Sequence, residues 1–355
     1  MTMPMGGATA PAAEGLRIAL ASRGPEGSGA LRVLEVQGGD LVERGQARRA
    51  DLRGLASHPR LPIVYGITGG PGPASLVAWC CDADTPLVIG ERGLAAEESE
   101  PCHIAVAPSG SYLVVALYET GALEVWRLRA DGALAERADA VVLDGRSVDP
   151  DRQEAAHPHQ VLFPAASDGR EFLVADLGGD RIHRFEVESE GSGVRTLAAS
   201  SVPAGTGPRH MVELPDGRIA ATGELAATLL LGSLGPDSWI AVPSTSRSGP
   251  ARSRSARNYP GDIAISPEGT RVYVANRGYD TIAVFDVSEA EPRLVAEVET
   301  ASWPQHLYVA SDHVLVACQD DSALVRLATS AIGLDAVGIE TAVPSPTWIS
   351  AIAPF

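Results

Sequence analysis

A unit of about 50 residues recurs along most of the chain, with apolar residues two apart between glycine and proline turns and strand-like segments left without partners at both ends. Together these features predict an all-β chain closed into a seven-bladed β-propeller. The clearest copies are residues 101–110 followed by 112–116, and residues 260–269 followed by 272–276; each continues through a turn into a third apolar run, 123–126 and 281–287. Divergent copies begin near His58, Pro158, Pro208 and Pro304. Pro59, Pro108, Pro164, Pro215 and Pro267, in the turns after the first strands, lie 49, 56, 51 and 52 residues apart. Three or four strands per unit make a propeller blade, and six blades are visible. The strands near residues 16–20 and 31–36 have no partner in a repeat of their own, and neither do the segments 341–343 and 348–352. Pairing the two ends into a seventh, shared blade removes the exposed sheet edge. The expected organisation is a flexible N-terminal tail over residues 1–15 and a single propeller domain over 16–355. Long helices are excluded because proline and glycine interrupt the chain too often.

Composition narrows the function. The 355 residues carry 28 basic against 45 acidic side chains, a net charge of −17, which disfavours nucleic acid and anionic membrane surfaces as partners. An anionic ligand then requires a local basic pocket. Every basic residue is arginine, which excludes a Walker A lysine, a Schiff-base lysine and a pyridoxal-phosphate anchor. Cys80, Cys81, Cys102 and Cys318 form neither a metal-binding pair nor a disulfide framework, and read as buried thiols in a reducing compartment. Residues 1–15 lack a basic and then apolar leader, and no run of about 20 apolar residues occurs. The expectation is a cytoplasmic monomer or weak homo-oligomer that uses no cofactor. Segments 145–157 and 244–258 break the repeat and read as longer loops on a propeller face, where ligand contacts concentrate. The arginines of the second, Arg247, Arg252, Arg254 and Arg257, read as a solvated loop or an anion-recruiting flap.

Four motifs carry a resemblance: His157-Pro158-His159-Gln160 with the following 174–181, Gly207-Pro208-Arg209-His210, Gly223-Glu224-Leu225, and Ala275-Asn276-Arg277-Gly278. In this order and spacing the sequence resembles the seven-bladed propeller lactonases, a family that holds propeller-type 6-phosphogluconolactonases and carboxy-cis,cis-muconate cyclases. The resemblance covers roughly residues 50–330. It implies a site of one histidine, two arginines and a glutamate at one mouth of the central channel. Carried over motif by motif, these are His159 (with His157 beside it), Arg209, Glu224 and Arg277. The chain departs from the family at Thr222-Gly223-Glu224-Leu225, where Asn-Glu-Leu is usual.

The chemistry of these residue types agrees. Opening a lactone needs a base to activate water and donors to hold the developing oxyanion. His159 or Glu224 is the candidate base, and the planar forks of Arg209 and Arg277 suit an acid group and a polarised carbonyl. His157, His103, His210 and His306 are candidate substrate contacts; the last three recur at one place in the blade, which equally fits a structural bond to a neighbouring strand. The absence of a metal-binding pattern on one element, apart from His157 and His159, argues against a metal. Asp176, Asp180, Asp280 and Asp320 sit in turns that aspartate tightens. The arginines and Glu224 also fit a mutual ion-pair network between blades. The leading function is a lactone hydrolase acting on a small anionic lactone such as 6-phosphogluconolactone. A muconolactone cycloisomerase and a non-enzymatic binding platform are the alternatives.

Overall fold

The structure, a computed structural model, describes residues 15–24, 29–70, 73–94, 100–188, 193–235, 238–248, 257–330 and 333–354. Most of the expected tail, and Arg252 and Arg254, lie outside the described residues. The described chain forms seven four-stranded antiparallel sheets. The innermost strands are Leu52–Ser57, Pro101–Val106, Pro158–Leu162, Pro208–Glu213, Pro260–Ile265, Pro304–Val309 and Pro346–Ala351. Each packs against the next, and the last against the first, so the ring is closed. The blades are numbered one to seven in this order. Among the described residues the only helix is a single 3-10 turn, Ala165–Ser167, and no helix is long and apolar enough to cross a membrane.

Burial explains why the repeat is legible. The second strands, such as Ile63–Thr68, Tyr112–Leu117 and His313–Cys318, are buried at every position, because neighbouring blades cover both of their faces. They therefore read as unbroken apolar runs. The outermost strands, such as Asp40–Arg48 and Leu134–Val142, keep polar residues toward solvent. Between blades the core is aliphatic with a few large rings. Phe172 stacks on Phe185 at 5.3 Å where blades two and three meet, and Trp79 is enclosed between blades seven and one. All four cysteines are free; Cys81 and Cys318 are buried as expected, whereas Cys80 and Cys102 are partly exposed.

Closure differs from the expectation in one detail. Thr341 and Ala342 belong to blade six, in the outer strand Gly333–Ala342, where Thr341 sits opposite Leu324. The third strand of that blade needs this partner for its free edge. The seventh blade takes only Pro346–Ala351 from the C-terminal end, paired antiparallel to Arg17–Ser22 with Leu20 opposite Ile349, and takes its other two strands, Ala30–Gln37 and Asp40–Arg48, from the N-terminal side.

Because one strand latches the ring, residues 16–355 are proposed to unfold as one unit. Deleting residues 344–355 exposes the buried edge of Arg17–Ser22 and opens the ring. Calorimetry is expected to give a single transition for the full chain and no cooperative transition near that temperature for the truncated one. A truncated chain melting at the same midpoint would show that the latch does not hold the ring.

Candidate active site

A bulge sits at the start of the innermost strands. The register of each against its second strand skips after the first residue, at Leu52/Gly54, Pro101/His103, Pro158/Gln160, Pro208/Met211, Pro260/Ile263 and Pro304/His306, and at Pro346 in blade seven. In a regular strand, consecutive side chains point to opposite faces; a bulge re-aims them. Here the second and third residues of the strands both serve the axis, at two levels. Second-position residues Arg53, Cys102, His159, Arg209, Gln305 and Thr347 line a cavity of about 300 Å³ at one mouth of the channel. Third-position residues form a belt beneath it. His103, His210 and Trp348 meet across the axis at ring separations of 5.2 to 5.8 Å, and His306 lies 4.1 Å from Trp348.

The remaining cavity residues come from two sources. Tyr118, Glu224, Arg277 and Arg23 occupy one equivalent position, the residue after the second strand, in blades two, four, five and seven. Gly261 makes room for Arg277: a Cβ there would lie 2.8 Å from Arg277 Nε, so the arginine lies where a second-position side chain would otherwise stand. Arg152 comes from the loop over residues 145–157, and Glu100 is the residue just before the innermost strand of blade two. In all, five arginines and two glutamates line the cavity, a local excess of positive charge in a strongly acidic chain.

Glu224 organises the arginines. Its Oε2 accepts from Arg277 Nη2 at 2.5 Å and lies 2.9 Å from Arg209 Nε, while Oε1 accepts from Arg152 Nη2 at 2.9 Å. Arg277 is further fixed by donating to the Tyr259 carbonyl at 3.1 Å and by lying over the Trp303 ring. Arg152 also donates to the Tyr118 hydroxyl at 3.2 Å. Arg209, only 4% exposed, is less satisfied: neither its Nε nor its Nη1 has a hydrogen-bond partner. On the far side of the ring, Asp51 accepts from Arg23 at 2.6 Å and Arg53 at 2.8 Å, and Arg53 lies 3.3 Å from Glu100.

These contacts set the protonation states. Burial pushes the Glu224 carboxyl up, but Arg277 and Arg209, then His159 and Arg152, overcome it and hold the group well below the usual carboxylate range. Such a carboxylate is a weak base. His159 is the reverse case: burial, reinforced by Arg209 and His210, pushes it well below the ordinary imidazole value, so it is neutral at pH 7 with a lone pair to offer. Burial and Arg277 lower Arg209 to about 10 against the pull of Glu224, which leaves it cationic at neutral pH. Burial also pushes the Tyr118 hydroxyl up to about 12.

Of the residues singled out in the sequence, His159, Arg209, Glu224 and Arg277 meet at the cavity. The four histidines named as substrate contacts do not line it. His157 stacks on Tyr118 at 4.3 Å and bonds the Tyr118 carbonyl and Glu154, bracing the cavity wall from behind. His103 and His306 accept backbone N–H groups of the next blades, from Val161 and Ile349, and His210 bonds Asp262 at 2.7 Å. They sit one level too deep because the bulge stacks two successive residues along the axis. Among the described residues they do not group as metal ligands. Asp176, Asp180 and Asp280 accept backbone N–H groups, from His157, Gly207 and Trp303 among others; Asp176 ties the entry of its own blade, and Asp180 and Asp280 tie the entry of the next. Arg247 pairs with Glu299 at 3.0 Å, and Arg257 lies over the Tyr259 ring. Sequence reasoning missed Arg53, Tyr118, Cys102, Gln305, Thr347, Arg23 and Glu100, although each is the repeat equivalent of a residue it found; Arg152 carried no such signal.

Comparison with known proteins bears on the same region. A family model described as "Lactonase, 7-bladed beta-propeller" matches residues 22–351. The 6-phosphogluconolactonase of Bacillus subtilis is 26% identical over 275 residues, 76% of this chain and 77% of the relative. Among solved structures, a periplasmic gluconolactonase of Pseudomonas aeruginosa superimposes with a TM-score of 0.82 at 21% identity, covering 96% of this chain and 99% of that one. A protein from Lactobacillus plantarum superimposes with a TM-score of 0.83 at 23% identity, covering 95% of this chain and 99% of the other. At these identities the superpositions show a shared fold.

The neutral histidines at the axis make stability depend on pH. Burial lowers His103 to about 3 and also lowers His159, His210 and His306. Below about pH 6.5 the unfolded chain binds more protons at these positions than the folded chain, so stability falls as pH drops from 7 toward 5, by up to about 1.4 kcal/mol per pH unit for each histidine. Glu224, lowered in the fold, adds a further loss only below about pH 4.5. Denaturant melts between pH 5 and 8 check this, with a steeper fall expected for the wild type than for His103→Phe; equal slopes would remove His103 from the account.

Proposed function

The chain belongs to the seven-bladed β-propeller lactonase family, and from that premise we propose that it hydrolyses a small anionic sugar lactone such as 6-phosphogluconolactone. The observation that carries this reading is a neutral histidine, His159, beside a buried arginine with unused donors, Arg209, in an arginine-rich cavity on the axis. His159 accepts a proton from the water that attacks the lactone carbonyl. Arg209, with Arg277 beside it, holds the oxyanion as it forms, where fixed donors in a site with little water are most effective. The same His159 then returns the proton to the ring oxygen as the C–O bond breaks. Glu224 acts by position: clamped by arginines and held ionised, it aims their forks rather than taking the proton. Its removal would leave buried cations without a counter-charge.

The cavity also supports an anionic substrate. In a ring of seven blades, Arg53 of blade one and Arg23 beside blade seven stand across the axis from Arg209 of blade four. A lactone with its carbonyl at Arg209 and its phosphate directed to Arg53 would span the cavity, with guanidinium forks suited to both groups.

Purified protein in a pH-stat, against freshly made 6-phosphogluconolactone and unphosphorylated gluconolactone, is expected to exceed spontaneous hydrolysis for the phosphorylated substrate. Arg209→Ala is expected to lower kcat about 100-fold. Arg53→Ala is expected to raise KM for the phosphorylated lactone by about tenfold and leave the unphosphorylated one little changed. No acceleration of either lactone overturns the reading, and ring closure of a carboxymuconate without hydrolysis would reassign the site to cycloisomerisation.

A further inference from the structure

Two buried ring nitrogens at the axis have no hydrogen-bond partner: Nδ1 of His159 in the upper layer and Nε2 of His210 in the lower one. The rings are 5.3 Å apart, centroid to centroid, at an interplanar angle of 67°. Imidazoles joined by a direct N–H···N hydrogen bond have centroids about 5 Å apart, so the two rings are spaced as such a bond requires. The far side of His210 is already committed. Its Nδ1 lies 2.7 Å from Asp262 Oδ1, while Asp262 Oδ2 accepts the Leu307 N–H at 2.8 Å. A carboxylate with no proton of its own makes Nδ1 the donor, and the neutral ring must then carry its lone pair on Nε2, the unpartnered atom.

We propose that Asp262 and His210 are positioning residues for His159, forming a relay Asp262–His210–His159 that runs from the lower layer of the axis to the cavity. This rests on the reading of His159 as the base. Asp262 takes the Nδ1–H of His210, the Nε2 lone pair of His210 takes the Nδ1–H of His159, and Nε2 of His159 is left as a lone pair toward the cavity. In the reaction the water oxygen bonds to the carbonyl carbon and its proton passes to Nε2 of His159. The imidazolium keeps its Nδ1–H on His210, whose own proton leans on Asp262. When the ring C–O bond breaks, the Nε2 proton leaves with the ring oxygen and the relay is restored. The relay has work to do because the other charges facing His159 oppose its protonation: Arg209 and Arg277 are cations, and only Glu224, occupied by arginines, is an anion. His210 faces Arg209, His103, His306 and Arg277 from the surrounding strands, with Asp262 the anion bonded to it.

The test has two arms. Long-range ¹H–¹⁵N correlation spectra of the histidine-labelled wild-type protein report tautomers without substrate; both His210 and His159 are expected as Nδ1–H forms, and an Nε2–H form at either ring overturns the proposal whether or not the protein is a lactonase. The second arm is Asp262→Asn, which keeps an acceptor for the Leu307 N–H but turns an NH₂ toward His210, forcing His210 to the Nε2–H form. In lactone hydrolysis kcat is expected to fall about 100-fold with KM nearly unchanged, and the acid limb of the rate profile to move to lower pH, because the imidazolium of His159 has lost its distant carboxylate. A variant that loses activity with an unmoved acid limb, or keeps its activity, makes Asp262 a structural strand tie only and overturns the relay. Absence of lactonase activity in the wild type, with the expected tautomers present, would instead sink the proposed function and leave the hydrogen-bonded chain in place.

Discussion

The bulge that opens the innermost strands is the constraint from which the rest of the axis follows. Without it, the second residue of each strand would face the axis and the third the neighbouring blade, and the channel would have one lining. With it, two successive residues share the axis, and a ring of seven strands yields two stacked layers with different jobs. The upper layer is polar and cationic, and it bounds a cavity. The lower layer, with His103 meeting His210 and Trp348 edge to face and His306 tilted against Trp348, packs beneath it. A propeller centre is otherwise a hole; here it is a cup with a floor.

The floor and the arginines depend on each other through the dielectric. Buried rings below and packed blades around restrict the water that screens the arginines, which strengthens their pull on any carbonyl oxygen or phosphate that enters. The same burial makes it costly to hold Arg209 and Arg277 so near each other. Glu224 is what makes this tolerable: one carboxylate contacts both, and Arg152 as well, and the cations in return hold it ionised. The family position at which the chain departs, with Gly223 ahead of Glu224, is also the end of the second strand, where the Glu224 N–H is received by the Gly207 carbonyl at 2.9 Å. Gly207 has φ +62, and a Cβ there would meet the Leu225 side chain at 2.5 Å, so glycine at this place in the Gly-Pro-Arg-His motif sets the height of Glu224.

How much of this was legible in the sequence follows from the same geometry. The blades were legible because packing between blades buries both faces of the second strands and so writes apolar runs at a fixed period. His159, Arg209, Glu224 and Arg277 were legible through motifs. Arg53, Tyr118, Cys102, Gln305 and Thr347 were legible in principle, since they hold the repeat positions of those same residues, but the side chain there changes from blade to blade and the equivalence shows only once the strand bounds are known. Arg152 was hidden for another reason: it arrives on a loop outside the repeat, and only the third dimension brings it to Glu224. The histidines at the third position misled because a recurrent histidine in a strand carries no record of its height along the axis. The closing strand was misjudged by one segment, since residues 341–342 and 346–351 are alike in pattern and differ only in which neighbouring edge needs a partner.

That histidines recur in the floor, where leucine would pack more cheaply, has a physical reason in the strands themselves. Each innermost strand is an edge of its sheet, so alternate backbone N–H groups near its start point away from the ladder, and a buried N–H must be received by something. Gln160 receives that of Met211, His103 that of Val161, Asp262 that of Leu307, and His306 that of Ile349. The acceptors sit at one repeat position and bind each blade to the next around the ring. Apolar side chains there would dry the floor but leave these groups unpaired, a cost of about 1 to 3 kcal/mol for each. The floor is therefore polar by the demands of ring closure, and the neutral, lone-pair-bearing histidines beneath the cavity are a consequence of how this propeller is stitched before they are anything to a substrate.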